Sequence, residues 1–197
     1  AASTVTPGAP GRPPRATAAL TLPGAGRTAT PDATPTERLS PGRRTGGPDH
    51  GTLGFMNPHK LPVYAQKERI LTALKENQVI VVESPTGSGK TTQLPLILHE
   101  AGYSKQGVIG ITQPRRIATL SVSDFIARQT KTSVPGLVGY KMRFEDKTNQ
   151  STRIKIMTDG ILLQEIKGDY TLSRYSVIIV DEAHERSLNI DFILGLL

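Results

Sequence analysis

Ser84-Pro85-Thr86-Gly87-Ser88-Gly89-Lys90-Thr91-Thr92 sets two glycines, a lysine and three threonines within nine positions. These residue types at this spacing suit the holding of a phosphate chain. Gly87 and Gly89 permit backbone angles, and a close approach, that a side chain would forbid. A loop that opens straight into a helix aims its free backbone N–H groups and the positive end of the helix dipole at an anion. Thr86, Gly87, Ser88, Gly89 and Thr92 are expected to line that cradle. Lys90 would reach the outer phosphates, and the Thr91 hydroxyl would ligate magnesium.

A second stretch able to do chemistry, Asp181-Glu182-Ala183-His184, lies downstream. Asp181 suits a magnesium ligand, and Glu182 suits a group that positions and activates a water molecule. Alone, two acids here would as readily be a solvated helix start. Behind a phosphate loop they read as the second half of an ATP-hydrolysing site, with ATP and Mg2+ as its ligands.

Both stretches need mounts, and the flanking sequence supplies them. Gln78 to Glu83 and Ser176 to Asp181 are short, nearly continuous apolar runs, the pattern of strands buried on both faces of a parallel sheet. Helical patterns cover Ala65–Glu76, Thr91–Glu100, Arg115 to about Thr130, Asp159–Lys167 and Leu188–Leu197. Further strand patterns cover Gly107–Thr112, Leu137–Phe144 and Thr152–Met157. Strands alternating with helices predict an α/β fold with a parallel sheet flanked by helices. In such sheets ligands bind beyond the carboxyl ends of the strands, where both motifs fall.

Five segments in order carry a family resemblance. Thr86-Gly87-Ser88-Gly89-Lys90-Thr91-Thr92-Gln93 and Asp181-Glu182-Ala183-His184-Glu185-Arg186 resemble motifs I and II of the DEAH-box helicases of superfamily 2. Thr112-Gln113-Pro114-Arg115-Arg116 resembles their motif Ia, and Thr158-Asp159-Gly160 their motif Ib. Val138-Gly139-Tyr140 with Arg143-Phe144-Glu145-Asp146 resembles the segment between. The resemblance runs from about Leu61 to Leu197. It implies a RecA-like P-loop NTPase domain, in which ATP hydrolysis stimulated by nucleic acid drives movement along a strand. Arg115, Arg116, Arg143 and Thr158 would touch the nucleic-acid backbone, and Arg143-Phe144 would form a hook-shaped loop. His184 would couple the ATP site to a second motor domain. Single-stranded RNA is the expected partner, with DNA the alternative. An intracellular setting, cytoplasmic or nuclear, is expected, and no oligomer. Two positions depart from the pattern. Ser84 stands where the loop usually has its first glycine. Phe125 stands where many relatives place an arginine against adenine; it could stack on the base or pack in the core.

The family's Ser-Ala-Thr motif III, its second RecA-like domain and its arginine fingers do not occur before Leu197. Losing an arginine finger costs about 10³ to 10⁵ in rate. The 197 residues alone are therefore expected to bind nucleotide weakly and not to unwind duplexes. A catalytically incomplete nucleotide- or RNA-binding fragment is the competing expectation. A kinase or transport ATPase fits less well, given Arg115-Arg116 and His184-Glu185-Arg186.

Residues 1–55 hold nine of the fifteen prolines, nine of the nineteen glycines and no Lys, Ile, Asn, Tyr or Gln. Such a segment buries too little apolar surface to offset its ordering entropy and is expected to be disordered. Composition changes sharply at Met56, which marks the expected start of the ATP-binding domain, 56–197, and of the natural protein. The net charge of +7 and isoelectric point near 9.8 suit an acidic partner. With no cysteine and four scattered histidines, disulfides and zinc patterns are excluded. No apolar run reaches membrane-spanning length.

Overall fold

The computed structural model describes residues 17–23, 61–85 and 87–196. In chain order these form β1 (Thr17–Pro23), α1 (Pro62–Ala65), α2 (Lys67–Glu76), β2 (Val79–Ser84) and α3 (Lys90–Glu100). Next come α4 (Tyr103–Gln106), β3 (Val108–Gln113), α5 (Arg116–Gln129), β4 (Val138–Met142) and β5 (Glu145–Lys147). The last are β6 (Ile154–Thr158), α6 (Asp159–Gly168), β7 (Tyr175–Val180) and α7 (Leu188–Leu196).

One sheet runs in the order β2-β1-β7-β3-β6-β4-β5. Every pairing is parallel except that of β5, which turns back on β4. Alternation along the strands divides the core. Ile109, Ile111, Ile154, Ile156, Val177 and Ile179 meet α2, α3 and α5 on one face. Met157, Ile178 and Val180 meet α6 and α7 on the other. The expected α/β layering is what forms.

Three details differ from the sequence reading. The first 55 residues are not wholly without structure: Thr17–Pro23 forms β1, paired on both sides by β2 and β7. A composition averaged over 55 residues hides the local run Ala18-Ala19-Leu20-Thr21-Leu22. Two neighbours also satisfy its backbone groups, which no local signal reveals. The rest of that segment, and the boundary at Met56, lie outside the described residues. The strand expected over Leu137–Phe144 stops at Met142, because Arg143 and Phe144 form the two-residue turn of the β4–β5 hairpin. The core reading of Phe125 fails: it is 51% exposed. The buried stripe of α5 runs through Thr119, Val122, Ser123, Ile126 and Ala127. At about 100° per residue, Phe125 lies roughly 130° from its centre.

Candidate functional site

Because β2, β7, β3, β6 and β4 run the same way, their carboxyl ends share one edge of the sheet. β2 ends in the phosphate loop, and β7 leads into Asp181. β3 leads through Gln113 into Arg115, β6 ends at Thr158, and β4 ends before Arg143. The five motifs, scattered over about a hundred residues of sequence, thus emerge side by side.

The loop has the backbone its sequence demands. Gly87 and Gly89 take φ of 79° and 88°, and Gly89 caps α3 in the left-handed region. Gly89 has a second reason to lack a side chain, since a Cβ there would lie 2.9 Å from Leu61 Cδ1. Space around Gly87 is open. The Val63 N–H donates to the Ser88 carbonyl at 3.3 Å, so α1 braces the loop from outside. Thr86 lies outside the described residues.

The Lys90 ammonium folds back over the loop and donates to the Ser84 carbonyl at 2.5 Å and the Pro85 carbonyl at 3.3 Å. A main-chain carbonyl serves here whatever the side chain, so serine in place of the first glycine leaves this contact intact. Thr91 Oγ1 donates to Asp181 Oδ2 at 2.6 Å, across 90 residues of sequence. Thr92 Oγ1 turns back to the Gly89 carbonyl at 3.5 Å. Gln93, fully buried, exchanges amide hydrogen bonds of 2.9 Å with Gln129 and so ties α3 to α5.

Asp181 is buried, and its Oδ1 accepts the Glu182 N–H at 3.0 Å. Glu182 takes a left-handed φ of 51°, which carries its side chain out of the sheet edge to meet His184 Nδ1 at 3.2 Å. Ala183–Glu185 forms a single 3-10 turn. The Arg115 guanidinium pairs with Glu185 at 3.2 Å. Exposed pairs of this kind contribute at most about 1 kcal/mol, so Arg115 can exchange Glu185 for a phosphate at little cost. Arg116 is exposed at the start of α5, and Thr158 is half-buried at the start of α6. Arg143 lies over the Phe144 ring, 5.2 Å from its centroid, with Phe144 81% exposed. The candidate residues therefore divide into a nucleotide half at β2 and β7 and a basic half at β3, β6 and β4.

The donor set fits magnesium. It offers a hydroxyl and a carboxylate oxygen already within 2.6 Å of each other, the hard oxygen ligands this ion takes alongside water and phosphate. Among the described residues, nothing crowds Gly87 and Lys90 is held by main-chain carbonyls, which fits a phosphate chain.

Asp159 of the fourth motif is buried, and its Oδ1 has no hydrogen-bond partner among the described residues. Burial pushes its carboxyl up to about 6; the Thr112 hydroxyl opposes the rise and the charge of Glu185 adds to it. A carboxyl raised in the folded state favours folding in its protonated form. That contribution is complete below about pH 4 and is lost as the pH rises through about 6. Asp159→Asn is therefore expected to melt higher than the parent at pH 8, by roughly 2 kcal/mol of stability, with the gap closing by pH 4. Thermal melts between pH 4 and 8 read this directly, and parallel curves would refute it.

The DEAD/DEAH box helicase family model matches residues 64–193. The chain belongs to this family. It is 61% identical to the ATP-dependent RNA helicase HrpA of Borreliella burgdorferi over 142 residues, which are 72% of this chain and 17% of that protein. Against the HrpA helicase of Escherichia coli it is 54% identical over 140 residues, 71% of this chain and 11% of that one. The probable ATP-dependent RNA helicase DHX40 of Homo sapiens is 49% identical over 136 residues, 69% of this chain and 18% of that protein. The chain thus spans less than a fifth of the length of these relatives. The matched region contains both halves of the site. No helix among the described residues is long and apolar enough to cross a membrane.

The resemblance placed Gln113 within motif Ia but gave it no role; its buried amide reaches Asp181. Its position at a strand end was the available signal, since a polar residue there can reach the next strand's end.

Proposed function

We propose that this chain is the first RecA-like motor domain of an ATP-dependent RNA helicase, acting inside the cell on single-stranded RNA. The observation that carries the proposal is the meeting of Thr91 with Asp181 at the sheet edge that also carries Arg115, Thr158 and Arg143. The relatives' names supply RNA as the strand.

The residues divide the work. Lys90 exchanges the Ser84 and Pro85 carbonyls for phosphate oxygens, and the N–H groups opening α3 receive the rest of the charge. Thr91 and Asp181 would hold magnesium, which when bound neutralises charge on the outer phosphates. Glu182, half-exposed and steadied by His184, orients the attacking water and takes its proton. Arg115, Arg116 and Arg143 grip phosphates without reading sequence. A second motor domain, expected against the His184 side, would complete the site.

Glu182→Gln tests the division of roles. In a protein that joins this chain to the second motor domain, RNA-stimulated hydrolysis is expected to fall about 10²- to 10⁴-fold with nucleotide affinity unchanged, because only proton transfer is lost. Matched losses in affinity would remove Glu182 from the water-activating role. Single-stranded RNA binding that does not weaken with added salt would sink the phosphate-gripping role of the basic half.

A further inference from the structure

Gln113 is 3% exposed and closes β3. Thr112 pairs with Val180 in the β3–β7 ladder, so the next residues along, Gln113 and Asp181, emerge side by side. The Gln113 Nε2 donates to Asp181 Oδ2 at 2.7 Å. A carboxylate only accepts, so the amide must turn its nitrogen toward Asp181. The partners of the Asp181 carboxylate thereby include the Thr91 hydroxyl, the Gln113 amide and the Glu182 N–H, from three segments of the chain.

These donors are not equivalent. Thr91 is itself a candidate magnesium ligand, so its hydroxyl would be drawn on by the ion as well as by Asp181. The Glu182 N–H belongs to the strained turn that carries the water-activating residue. Gln113 alone comes from a neighbouring, fully paired strand and has no other task at the site. The contact also gives a buried polar side chain the hydrogen bond that its burial requires.

We propose that Gln113 is the positioning residue for Asp181, fixing the carboxylate rotamer that presents an oxygen to magnesium. Partners that orient a ligand in this way typically change metal affinity 10- to 100-fold when removed. The proposal rests on the nucleotide-site reading. It also gives the β3 loop a direct tie to the acid, because Arg115 follows two residues later.

The test is binding of a fluorescent ADP analogue to the purified chain, titrated with Mg2+ and repeated in EDTA, with Mn2+ uptake followed by electron paramagnetic resonance. Gln113→Met keeps the side-chain volume and removes the donor. It is expected to raise the Mg2+ needed for half-maximal binding about tenfold and to alter the Mn2+ spectrum, with affinity in EDTA within twofold. Thr112→Val, removing a neighbouring buried hydroxyl whose influence falls on Asp159, is expected to leave the Mg2+ requirement alone. An unchanged Mg2+ requirement in Gln113→Met overturns the proposal. So does an equal loss in both media, which marks a merely structural role. If Gln113→Met does not fold, Gln113→Asn, one methylene short of Asp181, reads the same shift. A parent chain with no metal-dependent binding would instead sink the nucleotide-site reading itself.

Discussion

Lys90→Ala will lower nucleotide affinity about a hundredfold or more while leaving the fold intact. The ammonium projects from the first turn of α3 over the loop, where its partners among the described residues are the Ser84 and Pro85 carbonyls. A phosphate oxygen is a far better acceptor for it than a neutral carbonyl, because both partners then carry charge. Truncating one member of such a desolvated pair costs roughly 2–5 kcal/mol. The two carbonyls released by the substitution lie at the loop mouth and can take water, so the melting temperature without nucleotide should barely move. Isothermal titration with ADP and ATP measures the loss, and parent-like affinity would mean the loop is a relic of a phosphate site. Lys90→Arg is not expected to restore binding, since a planar fork does not replace a compact ammonium on a flexible stem.

What the sequence disclosed follows from the range of each interaction. The phosphate-loop pattern is local: Gly87, Gly89, Lys90 and Thr91 lie within five positions, and the two glycines take the positive φ that their type permits. Strand periodicity is local too, so β2, β3, β6 and β7 fall within a residue or two of expectation. Arg115 and Glu185, or Gln113 and Asp181, meet only because β3 and β7 became neighbours, and no spacing in the chain encodes that adjacency. The turn at Arg143-Phe144 was signalled only by the resemblance, as a hook-shaped loop, because an arginine and a phenylalanine at a strand end look the same whether the chain runs on or doubles back. Phe125 misled for a related reason. An aromatic residue three positions after a buried valine suggests an apolar face, but this helix seats Thr119 and Ser123 against the sheet instead. β1 shows the same limit most plainly: its two neighbours are supplied by residues more than fifty positions away.

The second large effect is expected away from the motifs, at Lys155, the second residue of β6. This side chain points to the face covered by α6, where its ammonium donates to the Glu165 carboxylate and, at 3.0 Å, to the Tyr175 hydroxyl. Tyr175 in turn donates to the other oxygen of Glu165. Burial pulls the Lys155 pKa down while Glu165 holds it up, and it pushes the Tyr175 hydroxyl well above its usual range, with Glu165 adding to the rise. Such a group is stable only when complete. Lys155→Ala leaves the Glu165 carboxylate with the tyrosine and a Lys141 ammonium 3.9 Å away, and should cost about 3–5 kcal/mol. Replacing all three members by apolar groups of similar volume, as Lys155→Met with Glu165→Leu and Tyr175→Phe, should recover most of that loss, because no buried charge is then stranded. Chemical denaturation of the single and triple variants separates the two cases, and a single variant as stable as the parent would show that the group contributes nothing. The consequence reaches the site. β6 runs on to Thr158, and β7, which starts at Tyr175, runs on to Asp181. The polar knot therefore sits under the two strands that carry the proposed nucleic-acid contact, Thr158, and the proposed magnesium ligand, Asp181. Loosening it should weaken nucleotide binding in Lys155→Ala, and the triple variant should regain that binding along with its stability.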